Sequence, residues 1–129
     1  MLWEAFGMKI LLVDDDKLVR AVLADILTDA GYDVVETGDP QKALGLLDAT
    51  SPPNFLITDV DLKSTMNGFD VAIGAHCRCP AIKIILISAL SADHTGQPLD
   101  TRDRYLQKPF TGARLLGTIS QLVNAALSP

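Results

Sequence analysis

The stretch KILLVDDD, residues 9–16, passes directly from an aliphatic run into three consecutive aspartates. A short apolar run that stops at polar residues predicts a buried strand followed by a turn. Similar apolar runs end at Asp59, at Ser88 and at Lys108. If the four runs are parallel strands of one sheet, their carboxyl ends share one edge. Carboxylates, a hydroxyl and an ammonium group would then converge there.

Short apolar runs alternate with longer amphipathic segments along the whole chain. In the first amphipathic segment, apolar residues recur at helical spacing from Leu18 to Leu27. The segment 91–103 contains Gly96 and Pro98, and it therefore predicts only one or two helical turns. The alternation predicts an α/β fold with a doubly wound parallel sheet and right-handed crossovers. The predicted strands are 9–13, 33–36, 55–58, 82–87 and 104–107, and the predicted helices are 17–30, 40–49, 68–79 and 111–127.

The composition limits the class of protein. A chain of 129 residues predicts one domain, and its 48% hydrophobic and 21% charged residues are ordinary soluble values. The formal net charge of −5 argues against direct binding of nucleic acid, which requires clustered Lys and Arg. No apolar stretch approaches the roughly 18–20 residues of a membrane span. With Cys77 and Cys79 as its two cysteines, the chain has no disulfide framework, and a reducing, cytoplasmic location is expected.

The predicted edge has the residue types that phosphoryl chemistry needs. Crowded carboxylates raise one another's pKa unless a cation compensates them, and Mg²⁺ suits such a site because it binds one or two carboxylates, waters and phosphate oxygens. The ammonium of Lys108 and the hydroxyl of Ser88 can each contact a phosphoryl oxygen. Asp59, at the end of the central strand, is the carboxylate that remains free to attack phosphorus and form an aspartyl phosphate.

The order and spacing of these motifs resemble the receiver domain of two-component response regulators, the CheY-like family. The likeness covers residues 8–127, and it includes Gly68, the pair Ser88-Ala89 and the run YLQKPF at 105–110. It implies a flavodoxin-like five-stranded sheet with strand order 2-1-3-4-5 and a short or irregular fourth helix. Residues 8–129 would be the receiver domain, and residues 1–7 a leader of unknown role.

The resemblance assigns roles to the acidic residues. Asp59 falls on the phosphoacceptor and is also expected among the ligands of the metal. Asp14 and Asp15 fall on the pair that binds Mg²⁺, with Asp15 as the direct ligand. Asp61 resembles the residue whose backbone carbonyl completes the metal shell, while its side chain could equally face water.

The resemblance also assigns the residues that respond to phosphorylation. Ser88 matches the switch Ser/Thr, and Lys108 matches the family's lysine. Pro109 resembles the proline that follows that lysine, often through a cis bond. Tyr105 matches the aromatic residue that swings inward on phosphorylation, although a half-buried structural role is the alternative.

The chain departs from the family pattern in two places. Lys63 stands where the family often has proline, and the span from Asp59 to Gly68 is one residue longer than in many members. The segment between Ser88 and Lys108 is short, which puts dimerisation through the usual output face in doubt. We therefore expect a monomer or a weak dimer.

The family implies particular partners. A histidine kinase or a histidine phosphotransfer protein would donate to Asp59, and an unidentified downstream protein would receive the signal. The chain would be either a stand-alone regulator or the receiver piece of a hybrid kinase. A membrane or nucleic-acid partner is not expected.

Two other functions remain open. The residues at 59–62 partly match the D-x-D-x-[TV] motif of haloacid-dehalogenase-like phosphatases, but in that family the motif belongs to a first strand and the side chain of its second aspartate is the acid/base. A degenerate receiver that only docks to partners is the other alternative. His76, Cys77 and Cys79 lack the spacing of a structural zinc site, and packing at a helix end is the preferred interpretation.

Overall fold

The computed structural model describes residues 7–90 and 102–127, which form a parallel sheet covered by helices on both faces. The leader and the predicted short helix of 91–103 lie outside the described residues, except for Gly7, Arg102 and Asp103; His94 lies outside them as well. The strands are β1 (Lys9–Val13), β2 (Asp33–Thr37), β3 (Phe55–Asp59), β4 (Lys83–Ser88) and β5 (Arg104–Gln107). The helices are α1 (Lys17–Asp29), α2 (Pro40–Leu47), α3 (Gly68–Arg78) and α4 (Gly112–Leu127).

The strand order is β2-β1-β3-β4-β5 with every pair parallel, which confirms the predicted topology. The register aligns the carboxyl ends of the strands. Val13 pairs with Thr58, the residue before Asp59. Ser88 pairs with Gln107, the residue before Lys108. The aspartates after β1, the Asp59 carboxylate, the Ser88 hydroxyl and the Lys108 ammonium therefore belong to one edge of the sheet.

Two apolar cores lie on opposite faces of the sheet. Because side chains alternate along a strand, Ile10 and Leu12 pack on the face that α1 and α4 cover, while Leu11 and Val13 pack on the face that α2 and α3 cover. All four side chains are fully buried or nearly so. This double burial explains why the strands are continuous apolar runs rather than alternating ones.

Local signals set the helix boundaries. Asp39 caps α2 by accepting a hydrogen bond from the Gln41 N–H, with Pro40 in the first turn, as predicted. Gly31 follows α1 with a φ of 102°, a conformation that glycine adopts without strain. The predicted and observed boundaries differ by one or two residues, with the largest difference at the end of α2, and Asp59 itself belongs to β3.

The apolar stripe of α1 is only partly buried. Leu23 and Leu27 pack into the core, whereas Leu18, Val19 and Val22 are 79%, 37% and 58% exposed. The stripe as read from the sequence is therefore wider than the face that touches the sheet.

The carboxyl end of α3 contacts the start of β5 through a pair of side chains. The His76 Nε2 lies 3.0 Å from a carboxylate oxygen of buried Asp103. Cys77 is exposed, and the Cys79 thiol donates to the Leu47 carbonyl over 3.4 Å. Within the described ranges no three His, Cys, Asp or Glu side chains are grouped as a metal site, and no helix there is long and apolar enough to cross a membrane.

We predict that Gly68→Ala destabilises the fold. A Cβ at this position would lie 2.2 Å from the Asp59 carbonyl oxygen and 2.7 Å from the Val60 Cα, and these are backbone atoms that cannot turn away. The free energy of unfolding should fall by about 1–3 kcal/mol or more, as for other overpacked sites. Urea unfolding followed by circular dichroism measures this loss.

Gly45→Ala is the matched control, because no atom lies within 4 Å of its Cβ position inside α2. It should stabilise the chain by roughly 0.5–1 kcal/mol through helix propensity. Equal effects of the two substitutions would contradict the close approach at Gly68.

Candidate functional site

The three consecutive aspartates have separate roles. Asp16 caps α1, since its Oδ1 accepts hydrogen bonds from the N–H groups of Leu18 and Val19. Asp14 is 1% exposed, and its Oδ1 accepts from the Asp16 N–H over 2.9 Å. The Asp14 Oδ2 is buried without a hydrogen-bond partner in the described part of the chain. Asp14 thus carries an unsatisfied oxygen at the carboxyl end of β1.

Asp59 and Lys108 are in direct contact at the centre of the edge. The Lys108 Nζ donates to the Asp59 Oδ2 over 2.7 Å, and the Asp61 N–H donates to the Asp59 Oδ1 over 3.0 Å. The Asp59 side chain is 7% exposed, and Thr58 and Val60 on either side are buried. The structure therefore brings together two residues that are 49 positions apart in the chain.

Asp15 is held by the loop that follows β3. Its Oδ2 accepts a 2.7 Å hydrogen bond from the backbone N–H of Lys63. The side chain is partly exposed, in contrast to that of Asp14. Asp15 is thus the more accessible carboxylate of the pair that follows β1.

The crowded carboxylates alter the pKa of Asp14. Burial is the main cause that raises the pKa of Asp14, and the charges of Asp59 and Asp15 raise it further. The hydrogen bond from Asp16 and the charge of Lys108 oppose the rise without cancelling it. The ionised form of Asp14 is therefore less favourable in the folded protein than that of an exposed aspartate.

The same charges act on Lys108. Burial alone would lower the pKa of Lys108, but the hydrogen bond and charge of Asp59, with the charges of Asp14 and Asp61, hold that pKa above its ordinary value. Lys108 therefore remains a cation, and it is the group that offsets the carboxylates.

Ser88 and Lys108 connect β4 to β5 at this edge. Ser88 is buried, and its carbonyl accepts from the Lys108 N–H over 2.8 Å. Its Oγ accepts from the Leu90 N–H over 3.1 Å. The Lys108–Pro109 bond is cis, as the resemblance implied.

Tyr105 and Asp61 lie further from the centre. Tyr105 is half-buried, and its ring meets that of Phe69 edge to face with centroids 6.1 Å apart. The side chain of Asp61 is exposed, so it acts on the site through its N–H and its charge.

Arg20 is a contributor that the sequence analysis missed. Its Nη1 donates to the Asp14 carbonyl over 2.6 Å, and its Nε lies 3.2 Å from Glu36. A Cβ at Gly38 would lie 2.7 Å from that Nη1, so glycine leaves room for the guanidinium. The Asp-Asp-Asp motif gives no signal for this contact because the acceptor is a backbone carbonyl, which every residue carries. The Lys63 amide was missed for a similar reason, since a backbone donor has no residue signature.

The residues present fit a divalent cation. The unsatisfied Asp14 Oδ2 and the mutual repulsion of Asp14, Asp15 and Asp59 are what a cation would relieve. Three carboxylates are not required, since Mg²⁺ keeps several waters and takes one or two carboxylates. Asp14, Asp15 and Asp59 are the carboxylates that would be available to hold it, together with the backbone carbonyl of Asp61.

Comparisons with known proteins agree on one family. Residues 10–120 match the family described as response regulator receiver domain. The transcriptional regulatory protein GltR of Pseudomonas aeruginosa is 35% identical over 131 aligned positions, covering 95% of this chain and 52% of GltR. The chain spans about half the length of several transcriptional regulators that it matches.

Solved structures extend the likeness to the whole fold. A response regulator receiver protein from Sinorhizobium medicae has a TM-score of 0.83 and 31% identity, covering 92% of this chain and 95% of that one. The response regulator TrrA of Thermotoga maritima, in complex with Mg(2+)-BeF, has a TM-score of 0.78 and 25% identity, covering 89% and 98%.

We predict that Asp14→Asn stabilises the protein at neutral pH without divalent ions. The pKa of Asp14 is raised in the folded state, so the fold loses stability as the pH rises from the unfolded value of about 3.8 through the folded pKa. Below about 3.8 both states are protonated, and the cost disappears. The gain should be about 0.5–2 kcal/mol near pH 7 and should vanish toward pH 3. Urea unfolding in EDTA across this pH range measures it.

Asp25→Asn is the control, because it removes one negative charge at an exposed position of α1. An Asp14→Asn protein that is less stable than the parent at pH 7 would contradict the strain assigned to Asp14.

Proposed function

The chain belongs to the response regulator receiver domains of two-component signalling, and on that premise we propose that it is a phosphoacceptor switch. Asp59 takes a phosphoryl group from a phosphohistidine of a histidine kinase or a histidine phosphotransfer protein. The change in charge then alters contacts with another protein. The observation that carries this proposal is the 2.7 Å contact between Lys108 and Asp59 beside the Asp14–Asp15 pair.

The chemical step needs little beyond positioning and charge. A carboxylate oxygen of Asp59 attacks phosphorus in line, the P–N bond of the phosphohistidine breaks, and the imidazole leaves with the electron pair and takes up a proton. Bound Mg²⁺ would supply neutralisation of the phosphoryl oxygens. The Lys108 Nζ, which now binds the Asp59 Oδ2, is close enough to transfer its hydrogen bond to a phosphoryl oxygen. The Asp61 N–H keeps the other carboxylate oxygen in place.

Phosphorylation is expected to alter the adjoining strand ends. The phosphoryl group adds a charge of about −1.5 to −2 and three acceptor oxygens. The Ser88 Oγ, which now accepts from Leu90, can turn to donate to one of these oxygens, releasing the Leu90 N–H. The Lys108 N–H donates a backbone hydrogen bond to the Ser88 carbonyl, so a movement of Ser88 would be passed to β5, which carries Tyr105. Such a change would bias a two-state equilibrium that exists beforehand.

The exposed apolar face of α1 is suited to receive the phosphodonor. Leu18 and Val19 lie in the first turn after the aspartates, and Val22 lies one turn further along the same helix. A protein that carries the phosphohistidine must cover Asp59 and exclude water, so it must contact the surface beside the site. Burial of these three side chains would stabilise that complex at about 25 cal/mol per Å² of apolar surface.

The phosphatase alternative has less support. The Asp61 side chain is exposed and its N–H, rather than its carboxylate, contacts Asp59, so Asp61 is not placed as the acid/base group of that motif. Asp59 is also the last residue of the third strand of the chain, whereas that motif belongs to a first strand.

We predict that acetyl phosphate with Mg²⁺ adds one phosphoryl group to the protein. Asp59→Asn should abolish the gain, because its amide is a poor nucleophile, and EDTA should suppress it in the parent protein. Intact-protein mass spectrometry at neutral pH measures the adduct.

Asp48→Asn, at the exposed end of α2, is the control and should leave phosphorylation unchanged. An absent mass gain in the parent protein would favour the docking-only alternative. Rapid hydrolysis of small phosphate esters that depends on Asp61 would favour the phosphatase.

We predict that Leu18→Asp and Val22→Asp slow phosphotransfer from protein donors but not from acetyl phosphate. A charge on this face would have to be desolvated in the complex, so the transfer rate should fall by roughly 10-fold or more. A panel of autophosphorylated histidine kinases, scored by radiolabel transfer, provides the measurement.

The matched control is Ile73→Asp, since Ile73 is 61% exposed on α3, away from α1. Equal slowing with acetyl phosphate would show that the α1 substitutions damage the site rather than docking.

A further inference from the structure

The loop after β3 contacts two carboxylates that come from different strands. The Asp61 N–H donates to the Asp59 Oδ1 over 3.0 Å, and the Lys63 N–H donates to the Asp15 Oδ2 over 2.7 Å. The Lys63 contact spans 48 positions of sequence. Alternate amides of one short segment therefore fix the phosphoacceptor and one member of the acidic pair.

Leu62 anchors this segment between the two donors. Its side chain is 7% exposed and packs in the core that α2 and α3 cover, whereas Asp61 and Lys63 are exposed. The Leu62 carbonyl accepts from the Ser64 N–H over 2.9 Å, which tightens the turn. The buried leucine thus holds the amides on either side of it toward the site edge.

We propose that the backbone amide of Lys63 is a positioning group for the divalent cation of this site. It occupies the Asp15 Oδ2 and leaves the Oδ1 for the cation, so that Asp15 is oriented before the cation arrives. Outer hydrogen bonds of this kind fix ligand orientation, and their loss commonly weakens metal binding 10- to 100-fold. The proposal rests on the proposed function in that the site holds Mg²⁺.

The contact requires a backbone N–H at position 63. Every residue except proline supplies a backbone N–H, and proline is what the family often has at this position. Lys63 therefore makes possible a hydrogen bond to Asp15 that a proline cannot donate. The donor to Asp15 is the backbone N–H of Lys63, and the Lys63 side chain is exposed. The positioning of Asp15 is therefore assigned to the amide and not to the ammonium.

The test compares Lys63→Pro, which removes the N–H, with Lys63→Ala, which keeps it. Isothermal titration of the unphosphorylated chain with MgCl₂ should give a Kd for Lys63→Pro that is 10- to 100-fold weaker than for Lys63→Ala, and Lys63→Ala should stay within about twofold of the parent. Phosphorylation by acetyl phosphate should need correspondingly more Mg²⁺ for half-maximal rate, with the rate at saturating Mg²⁺ retained. If the amide had only a structural role, its loss would lower the rate at saturating Mg²⁺ as well as the affinity for Mg²⁺.

An ester in place of the amide decides the question if Lys63→Pro does not fold. Incorporating the α-hydroxy analogue of lysine at position 63 replaces the N–H with oxygen and keeps the side chain and turn. A Kd for the ester or proline variant within twofold of Lys63→Ala would overturn the positioning role. If the parent itself binds no Mg²⁺, the proposed function fails instead, so the two failures are distinguishable.

Discussion

The contact between the Lys108 ammonium and the Asp59 carboxylate is the interaction on which the site depends. A parallel sheet in register brings the ends of β1, β3, β4 and β5 to one edge, and on this chain the ends of β1 and β3 carry aspartates while Lys108 follows β5. Without a cation the carboxylates would repel one another. Lys108 limits that repulsion, and the carboxylates in return hold its pKa above the ordinary value.

Lys108 offsets the repulsion between the carboxylates only in part. At Asp14, stability and cation binding therefore favour different residues. Asp14 keeps a buried oxygen without a described partner and a raised pKa, both of which cost folding free energy. An uncharged residue would be better for the fold, but it would not bind a cation. The site thus holds strain that a bound Mg²⁺ would relieve, which makes cation binding and stability thermodynamically linked.

Backbone amides do much of the positioning. The N–H groups of Asp16, Asp61 and Lys63 each donate to a site carboxylate, so each of the three acids has one oxygen fixed. Gly68 allows the start of α3 to approach the Asp59 carbonyl closely, which confines the loop carrying two of these amides. The side chains supply charge, and the main chain supplies geometry.

The strand runs, the cap at Asp39-Pro40 and the residues at the strand ends could be predicted from residue order, because they depend on local periodicity and turn chemistry. The family likeness supplied the strand order, which the structure confirms. Residue order could not predict that Asp14 is buried while Asp15 is partly exposed, or that Arg20 and the Lys63 amide reach the acidic pair. The tertiary structure also decided that half of the α1 stripe faces outward. These features arise from packing between segments that are distant in the chain. Neither a backbone hydrogen-bond donor nor the width of a buried helix face can be predicted from residue types.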